Sequence, residues 1–319
     1  MSNFWQQLKK PIFVLAPMAN VTDAAFRRII AKYGKPDVLW TEFVSCDGLM
    51  SPGRDKLLID FMYSEAERPI VAQVFGSRPE NFYKTALLLQ ELGFDGIDIN
   101  MGCPVKKVLN QNSCSALIKT PTLAQEIIQA TKEGAGKLPV SVKTRIGFKK
   151  EEIDTWIPTL LKSDIAALTV HLRTVKEMSL VPAHWEWMPR INEIRNQIAP
   201  TTILLGNGDS KTIAEAEEKV AETGCDGVMI GRGIFGNPWM FNKEIPQLSI
   251  AEKLAVMIEH TYLFEKLLGE HKNFDIMKKH YKAYVNGFDG AKELRVQLME
   301  GSETAADVER IVNEFLARN

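Results

Sequence analysis

Eight short runs rich in β-branched and aliphatic residues recur along the chain, at 13–18, 38–44, 70–75, 96–99, 140–145, 167–174, 202–209 and 227–233. Between them, segments at 24–33, 79–92, 123–134, 151–162, 185–198 and 213–222 carry apolar residues at helical spacing. The runs are nearly continuously apolar instead of alternating, the pattern of strands covered on both faces in a parallel sheet. Eight such units favour a closed (β/α)8 TIM barrel over an open doubly wound sheet. Farther on, 250–268, 274–285, 291–299 and 305–317 show helical spacing with no strand between them, and Pro246 and Ser249 mark the join. The expected organisation is a barrel over 1–245 and an all-helical C-terminal domain over 246–319.

Composition narrows the setting. Hydrophobic content of 45% and charged content of 25% over 319 residues are those of a globular chain with a large core. No apolar run reaches the ~18 residues of a membrane helix, and the first residues lack a signal-peptide pattern. A cytoplasmic protein without a membrane partner is expected. Cys46, Cys103, Cys114 and Cys225 show no CxxC pairing, so neither a zinc site nor a disulfide framework is indicated. A net charge of −1 argues against a strongly basic nucleic-acid binder, yet a basic patch can sit on one face of a neutral protein.

Barrels place their chemistry at the strand C-termini. The polar residues there are Glu42, Gln73, Asn100, Cys103, Lys143, Arg145, His171, Arg173, Asn207, Asp209 and Arg232. The fourth run stops abruptly in Asn100-Met101-Gly102-Cys103-Pro104, which makes Cys103 a positioned acid, a nucleophile or a small apolar core residue. Gly206-Asn207-Gly208-Asp209 and Gly231-Arg232-Gly233 close runs seven and eight, where barrels commonly bind phosphate through backbone N–H groups. Lys143 and His171 then lie within reach of the ring system of a phosphate-bearing cofactor. Lys143 could stabilise the negative charge of a reduced flavin, form a Schiff base, or pair with Glu42. His171 has no second histidine at ligand spacing, so no metal is expected.

These residues also sit in longer motifs. Ala16-Pro17-Met18, Thr22-Asp23-x-x-Phe26-Arg27, Gln73-Val74-Phe75-Gly76 and Asp98-Ile99-Asn100-Met101-Gly102-Cys103-Pro104 resemble the tRNA-dihydrouridine synthases. So do Val142-Lys143-Thr144-Arg145-Ile146-Gly147, His171-x-Arg173-Thr174, Asn207-Gly208-Asp209, Gly231-Arg232-Gly233-x-x-Gly236-Asn237-Pro238-Trp239, Lys279-His280 and Gly287-x-x-Gly290-Ala291. The similarity runs in order along essentially the whole chain, and the bacterial B-type branch is most similar. It implies FMN-dependent reduction of the uridine C5=C6 bond in tRNA, with NADPH as reductant; apart from the resemblance, a monomer is expected. Cys103 would give the proton to C5 while flavin N5 delivers hydride to C6. Gln73, Lys143, His171, Asn207, Gly208, Asp209, Gly231 and Arg232 match the FMN positions, with Pro17 and Met18 against the ring. Asn100 and Arg145 match positions that hold the flipped-out uridine, joined by Glu42 and Arg173. The helical tail would bind tRNA through Lys278, Lys279, His280, Lys282 and Arg295, with Arg28, Lys106 and Lys107 extending the track.

The chain departs from this pattern twice. Leu172 stands where the family has glycine in His-Gly-Arg-Thr, and Ser113-Cys114-Ser115 replaces a glycine-bearing segment. If that glycine served a left-handed backbone, Cys114 carries strain, and it is also a second thiol near the site. Reduction of a free pyrimidine, flavin-dependent uridine methylation and a non-catalytic RNA-binding barrel are the competing readings.

Overall fold

The structure, a computed structural model, describes residues 3–242, 244 and 248–318; Pro246, the expected join, lies outside them. The parallel strands are β1 (Ile12–Leu15), β2 (Leu39–Trp40), β3 (Val44–Ser45), β4 (Ile70–Phe75), β5 (Gly96–Met101), β6 (Val140–Arg145), β7 (Ala167–His171), β8 (Ile203–Asn207) and β9 (Gly227–Ile230). The first helices are α1 (Ala24–Tyr33), α2 (Cys46–Leu49), α3 (Arg54–Leu58), α4 (Pro79–Glu91) and α5 (Lys106–Leu109). Next come α6 (Pro121–Ala135), α7 (Ile153–Leu161), α8 (Met188–Ile198) and α9 (Ile213–Thr223). The tail holds α10 (Ile250–Leu268), α11 (Lys278–Tyr284), α12 (Ala291–Gly301) and α13 (Ala305–Leu316).

Hydrogen-bonded neighbours run β1-β9-β8-β7-β6-β5-β4-β2, with β3 also on β4. The circle is nearly closed, and Asp37 joins its ends: its N–H donates to Phe13 O at 2.9 Å, and its carboxylate accepts from Phe13 N at 2.7 Å. The run expected at 38–44 is not one strand. Thr41 N still bonds Val71 O at 3.0 Å, but its Oγ1 takes the N–H of Gln73 at 3.1 Å and donates to Glu42 O at 2.8 Å, so a side chain takes a ladder place where the strand breaks. The break carries Glu42 up to the mouth.

Alternation along the strands sorts the barrel by height. Phe13, Leu15, Ile97, Ile99, Val142, Leu168, Val170 and Leu204 face outward into one core with the surrounding helices. Inward, Ile12, Val14, Val71, Ala167, Ile203, Leu205 and Met229 form a separate lower core closed by Trp5 and Trp40, whose rings lie 5.8 Å apart. Above that floor the inward positions turn polar. Registers pair Gln73 with Asp98, Asn100 with Lys143, Arg145 with His171, and His171 with Asn207. No helix among the described residues is long and apolar enough to cross a membrane.

The four tail helices share one core with the barrel's α1, whose Ala25 and Ile29 pack among Leu254, Met257, Tyr281, Leu294 and Val308. His280 belongs to this joint. It is 1% exposed, its ring 5.1 Å from Phe26 and 4.8 Å from His260, so it is not the tRNA contact expected of it. Both His260 nitrogens and His280 Nε2 are buried without a hydrogen-bond partner. Burial lowers the His260 pKa to about 3; burial, then His260 and Lys279, hold His280 well below 6.5.

Both rings must therefore be neutral in the fold, while the unfolded chain protonates them below about pH 6.5. Their contribution is complete above that pH and is lost as pH falls, by up to about 1.4 kcal/mol per pH unit for each ring. Melting temperature should drop steeply from pH 7 to pH 5. His260→Phe should flatten that slope in a thermal melt series; an unchanged slope would exclude the pair as its cause.

Candidate active site at the mouth of the barrel

The polar layer is built from below. Asp98, buried, accepts from Gln73 Nε2 at 2.7 Å and Ser141 Oγ at 2.6 Å. Burial pushes its pKa up to about 6 against those donors. Gln73 Oε1 in turn accepts from Asn100 Nδ2 at 3.0 Å, and Asn100 Oδ1 receives the N–H groups of Gly102 and Cys103, both at 3.0 Å. The loop after β5 is thus folded back over Asn100, and Cys103 is set at the rim, partly exposed. Gln73 and Asn100, expected at the cofactor and the base, are here hydrogen-bonded to each other, to Asp98 and to the loop.

Arg145 is likewise committed. It is 5% exposed and donates to Gly102 O at 2.8 Å, Thr174 O at 3.0 Å and Met178 O at 2.9 Å, tying three mouth segments together. Lys143 Nζ donates to Asn207 Oδ1 at 3.1 Å, and Asn207 Nδ2 to Met229 O at 2.7 Å. The Lys143–Glu42 pair is not formed. Glu42 instead meets Lys272 of the tail at 2.5 Å and accepts from the N–H of Asn20. Burial, then Arg145, lowers Lys143 to about 8.

His171 Nε2 lies 3.0 Å from Arg173 Nη1. Arginine only donates, so Nε2 accepts and the imidazole proton sits on Nδ1. Burial, then the cations Lys143, Arg145, Arg173 and Arg232, keep His171 neutral at physiological pH. Arg173 is 3% exposed, bonded to Asp209 and, at 2.6 Å, to Val181 O. Asp209, at φ 52°, also reaches Arg232 at 3.5 Å. Arg232 itself is 66% exposed, so its guanidinium is available to an anion.

These groups surround a cavity of about 660 Å³ lined by Ala16, Pro17, Met18, Lys143, His171, Arg173, Asn207, Gly208, Asp209, Gly231 and Arg232. Glycine is required at two points of its wall. Gly208 sits at φ +138° and a Cβ there would fall 2.6 Å from that of Ala183, while a Cβ on Gly233 would meet Lys211 O at 2.9 Å. Trp185, which sequence reasoning missed, props this wall by donating to Gly208 O at 2.8 Å. Gln73, Glu42, Asn100 and Cys103 do not line the cavity; they belong to the rim and the layer beneath.

Cys114, then the Val105 N–H, Arg145 and Lys143, draw the Cys103 pKa down to about 6 against the effect of burial. Cys114 is fully buried at φ 55°, the left-handed backbone expected where the family has glycine, a strain on the order of 1–2 kcal/mol. Leu172 shows no such strain: its side chain is fully buried in the outer core, turned from the cavity.

The tail offers less cationic surface than expected. Lys278 pairs with Asp275 at 2.7 Å, Lys279 donates to Asn20 O, and Arg295 donates to Val285 O at 2.6 Å. Lys282, Lys106 and Lys107 are exposed. Lys272 was missed because nothing in the sequence near it signals its partners, Glu42 and Asp60.

The description "Dihydrouridine synthase (Dus)" matches residues 14–318. A Bacillus subtilis protein named "probable tRNA-dihydrouridine synthase 2" is 44% identical over 316 residues, covering 98% of this chain and 96% of that one. A Staphylococcus aureus protein named "probable tRNA-dihydrouridine synthase" is 44% identical over 319 residues, covering 99% and 96%. Among solved structures, a 2-naphthoyl-CoA reductase complex aligns with TM-score 0.55 at 11% identity over 72% of this chain and 49% of that chain. Morphinone reductase in complex with tetrahydroNAD aligns with TM-score 0.50 at 12% identity over 73% and 86%. These two likenesses speak for the barrel fold alone. Matched from β1 through the last tail helix, the chain belongs to the dihydrouridine synthase family.

Proposed function

We propose that this chain reduces uridine to 5,6-dihydrouridine in tRNA, using bound FMN and NADPH as reductant. The observation that carries the reading is a thiol at the barrel rim beside a cavity whose donors suit a flavin phosphate. A volume of about 660 Å³ lies within the range of cofactor sites. Lys143 and Arg173 are among the cations that line it; one wall is glycine-rich; Arg232 supplies an open guanidinium for the phosphate. Bound there, FMN would supply hydride to C6 of the base.

The chain's own residues do the rest. Met18 and Pro17 offer an apolar face for the ring, Lys143 stabilises negative charge beside it, and neutral His171 presents Nδ1–H without adding charge. Cys103 gives its proton to C5 and keeps the electron pair as thiolate. Excluding water over the bound base raises a thiol's pKa, which favours retention of the proton until transfer. Shape and phosphate contacts by Lys106, Lys107 and Lys282 would hold the tRNA.

Cys103→Ala should lower the rate of dihydrouridine formation at least about 10²-fold, the usual scale of general acid catalysis, while the flavin absorbance of the purified protein stays; undiminished turnover would remove Cys103 from the reaction. Lys143→Ala should lower the bound-FMN fraction or slow reduction by NADPH in stopped-flow absorbance. Lys106→Glu with Lys107→Glu should raise KM for tRNA and reduce the salt slope of binding by about two, leaving FMN content unchanged.

A further inference from the structure

The turn after β1 brings Pro17 and Met18 to the cavity wall. Its base is closed by its own bonds. Val21 and Thr22 donate their N–H groups to Met18 O, both at 3.0 Å, and Thr22 Oγ1 accepts from Met18 N at 3.0 Å. The outer corner, Asn20, is exposed and left-handed at φ 55°, and its peptide is held from elsewhere. The Asn20 N–H donates to Glu42 Oε1, and the Asn20 carbonyl accepts from Lys279. Glu42 is 5% exposed, and its other oxygen meets Lys272 Nζ at 2.5 Å. Lys272, itself 12% exposed, also pairs with Asp60 at 2.7 Å. Lys272 lies between α10 and α11 and Lys279 lies in α11, so both cations that reach this corner come from the tail.

We propose that Lys272 is a positioning residue for the cofactor: through Glu42 it holds the Asn20 corner, and with it the apolar Pro17–Met18 face offered to the flavin ring. The inference rests on the reading of the cavity as an FMN site. A buried carboxylate keeps its charge and its orientation only while it is paired and hydrogen-bonded. Glu42 uses one oxygen for each task, Oε2 for the cation and Oε1 for the turn. Without Lys272 the carboxylate is left buried and unpaired, and it either takes a proton or turns toward water. The Asn20 N–H then loses its acceptor, at a residue whose left-handed backbone persists only where its surroundings hold it. Attachment of the tail has a separate source, the apolar core that Ala25 and Ile29 of α1 share with it. The ion pair therefore sets geometry at the mouth, and the tail forms part of the cavity wall as well as a platform beside it.

The test compares the holoenzymes of wild type, Lys272→Met and Lys272→Arg by FMN titration and by hydrogen exchange of peptide 16–23. Lys272→Met should weaken FMN binding about tenfold and speed exchange in that peptide, with exchange in α12 and α13 unchanged. Lys272→Arg keeps the cation between Glu42 and Asp60 and should stay within about twofold of wild type. If Lys272→Met fails to fold, Lys272→Met with Glu42→Gln leaves no unpaired carboxylate at position 42 and carries the same expectation. A folded variant without the cation that melts lower, yet binds FMN and exchanges over 16–23 as wild type does, would overturn the proposal and leave Lys272 a tie between domains. Failure of the FMN reading shows separately, as wild-type protein that takes up no FMN.

Discussion

The side-chain amide of Asn100 ties the chemistry of the mouth to the rigidity of the barrel. Its oxygen takes two consecutive N–H groups, those of Gly102 and Cys103, and its nitrogen holds Gln73 at 3.0 Å. Gln73 reaches Asp98 on the neighbouring strand, and Asp98 reaches Ser141 on the next. A partly exposed loop thereby inherits the position of three buried strands. An amide can do this because it donates and accepts at once. A carboxylate at 100 would face Gln73 with no donor of its own, and an apolar residue would leave the buried Gln73 and the loop N–H groups unsatisfied.

The same logic explains why so many residues expected at ligands are bonded to protein. Arg145, Arg173, Asn100 and Gln73 occupy the inner face at a height where water is scarce and backbone carbonyls are many. Arg145 and Arg173 give those carbonyls a donor, Asn100 gives loop N–H groups an acceptor, and together these bonds fix the surroundings of Cys103, Lys143 and Arg232. Preorganisation here consists of polar side chains spent on one another.

Most of the fold was legible because its signals are local. Strands buried on both faces read as apolar runs, and α10 follows from its periodicity with Ser249 as cap. The glycine-rich ends of β8 and β9 likewise pointed to one wall of the cavity. What was not legible depends on partners far along the chain. The break between β2 and β3 is made by Thr41 bonding Gln73, and Glu42 finds Lys272, 230 positions away. His280 looked cationic beside Lys279, yet Phe26 and His260 bury it. A run of basic letters does not reveal which of them face inward. Cys114 lies between these cases: the missing glycine was visible and the positive φ could be anticipated, while its complete burial needed coordinates.

The sealed floor of the barrel has a kinetic corollary. Trp5 and Trp40, each 1% exposed, stop the lower end, so among the described residues the cavity opens toward the mouth. In the reading given above, a nicotinamide and a tRNA base must then use the same entrance in turn. On that reading the spent reductant would leave before the nucleotide enters, and turnover would take the form of two half-reactions, with parallel double-reciprocal lines instead of intersecting ones. A bulky RNA could then hold the enzyme in its oxidised state by standing in the doorway, with no contact to the reductant at all.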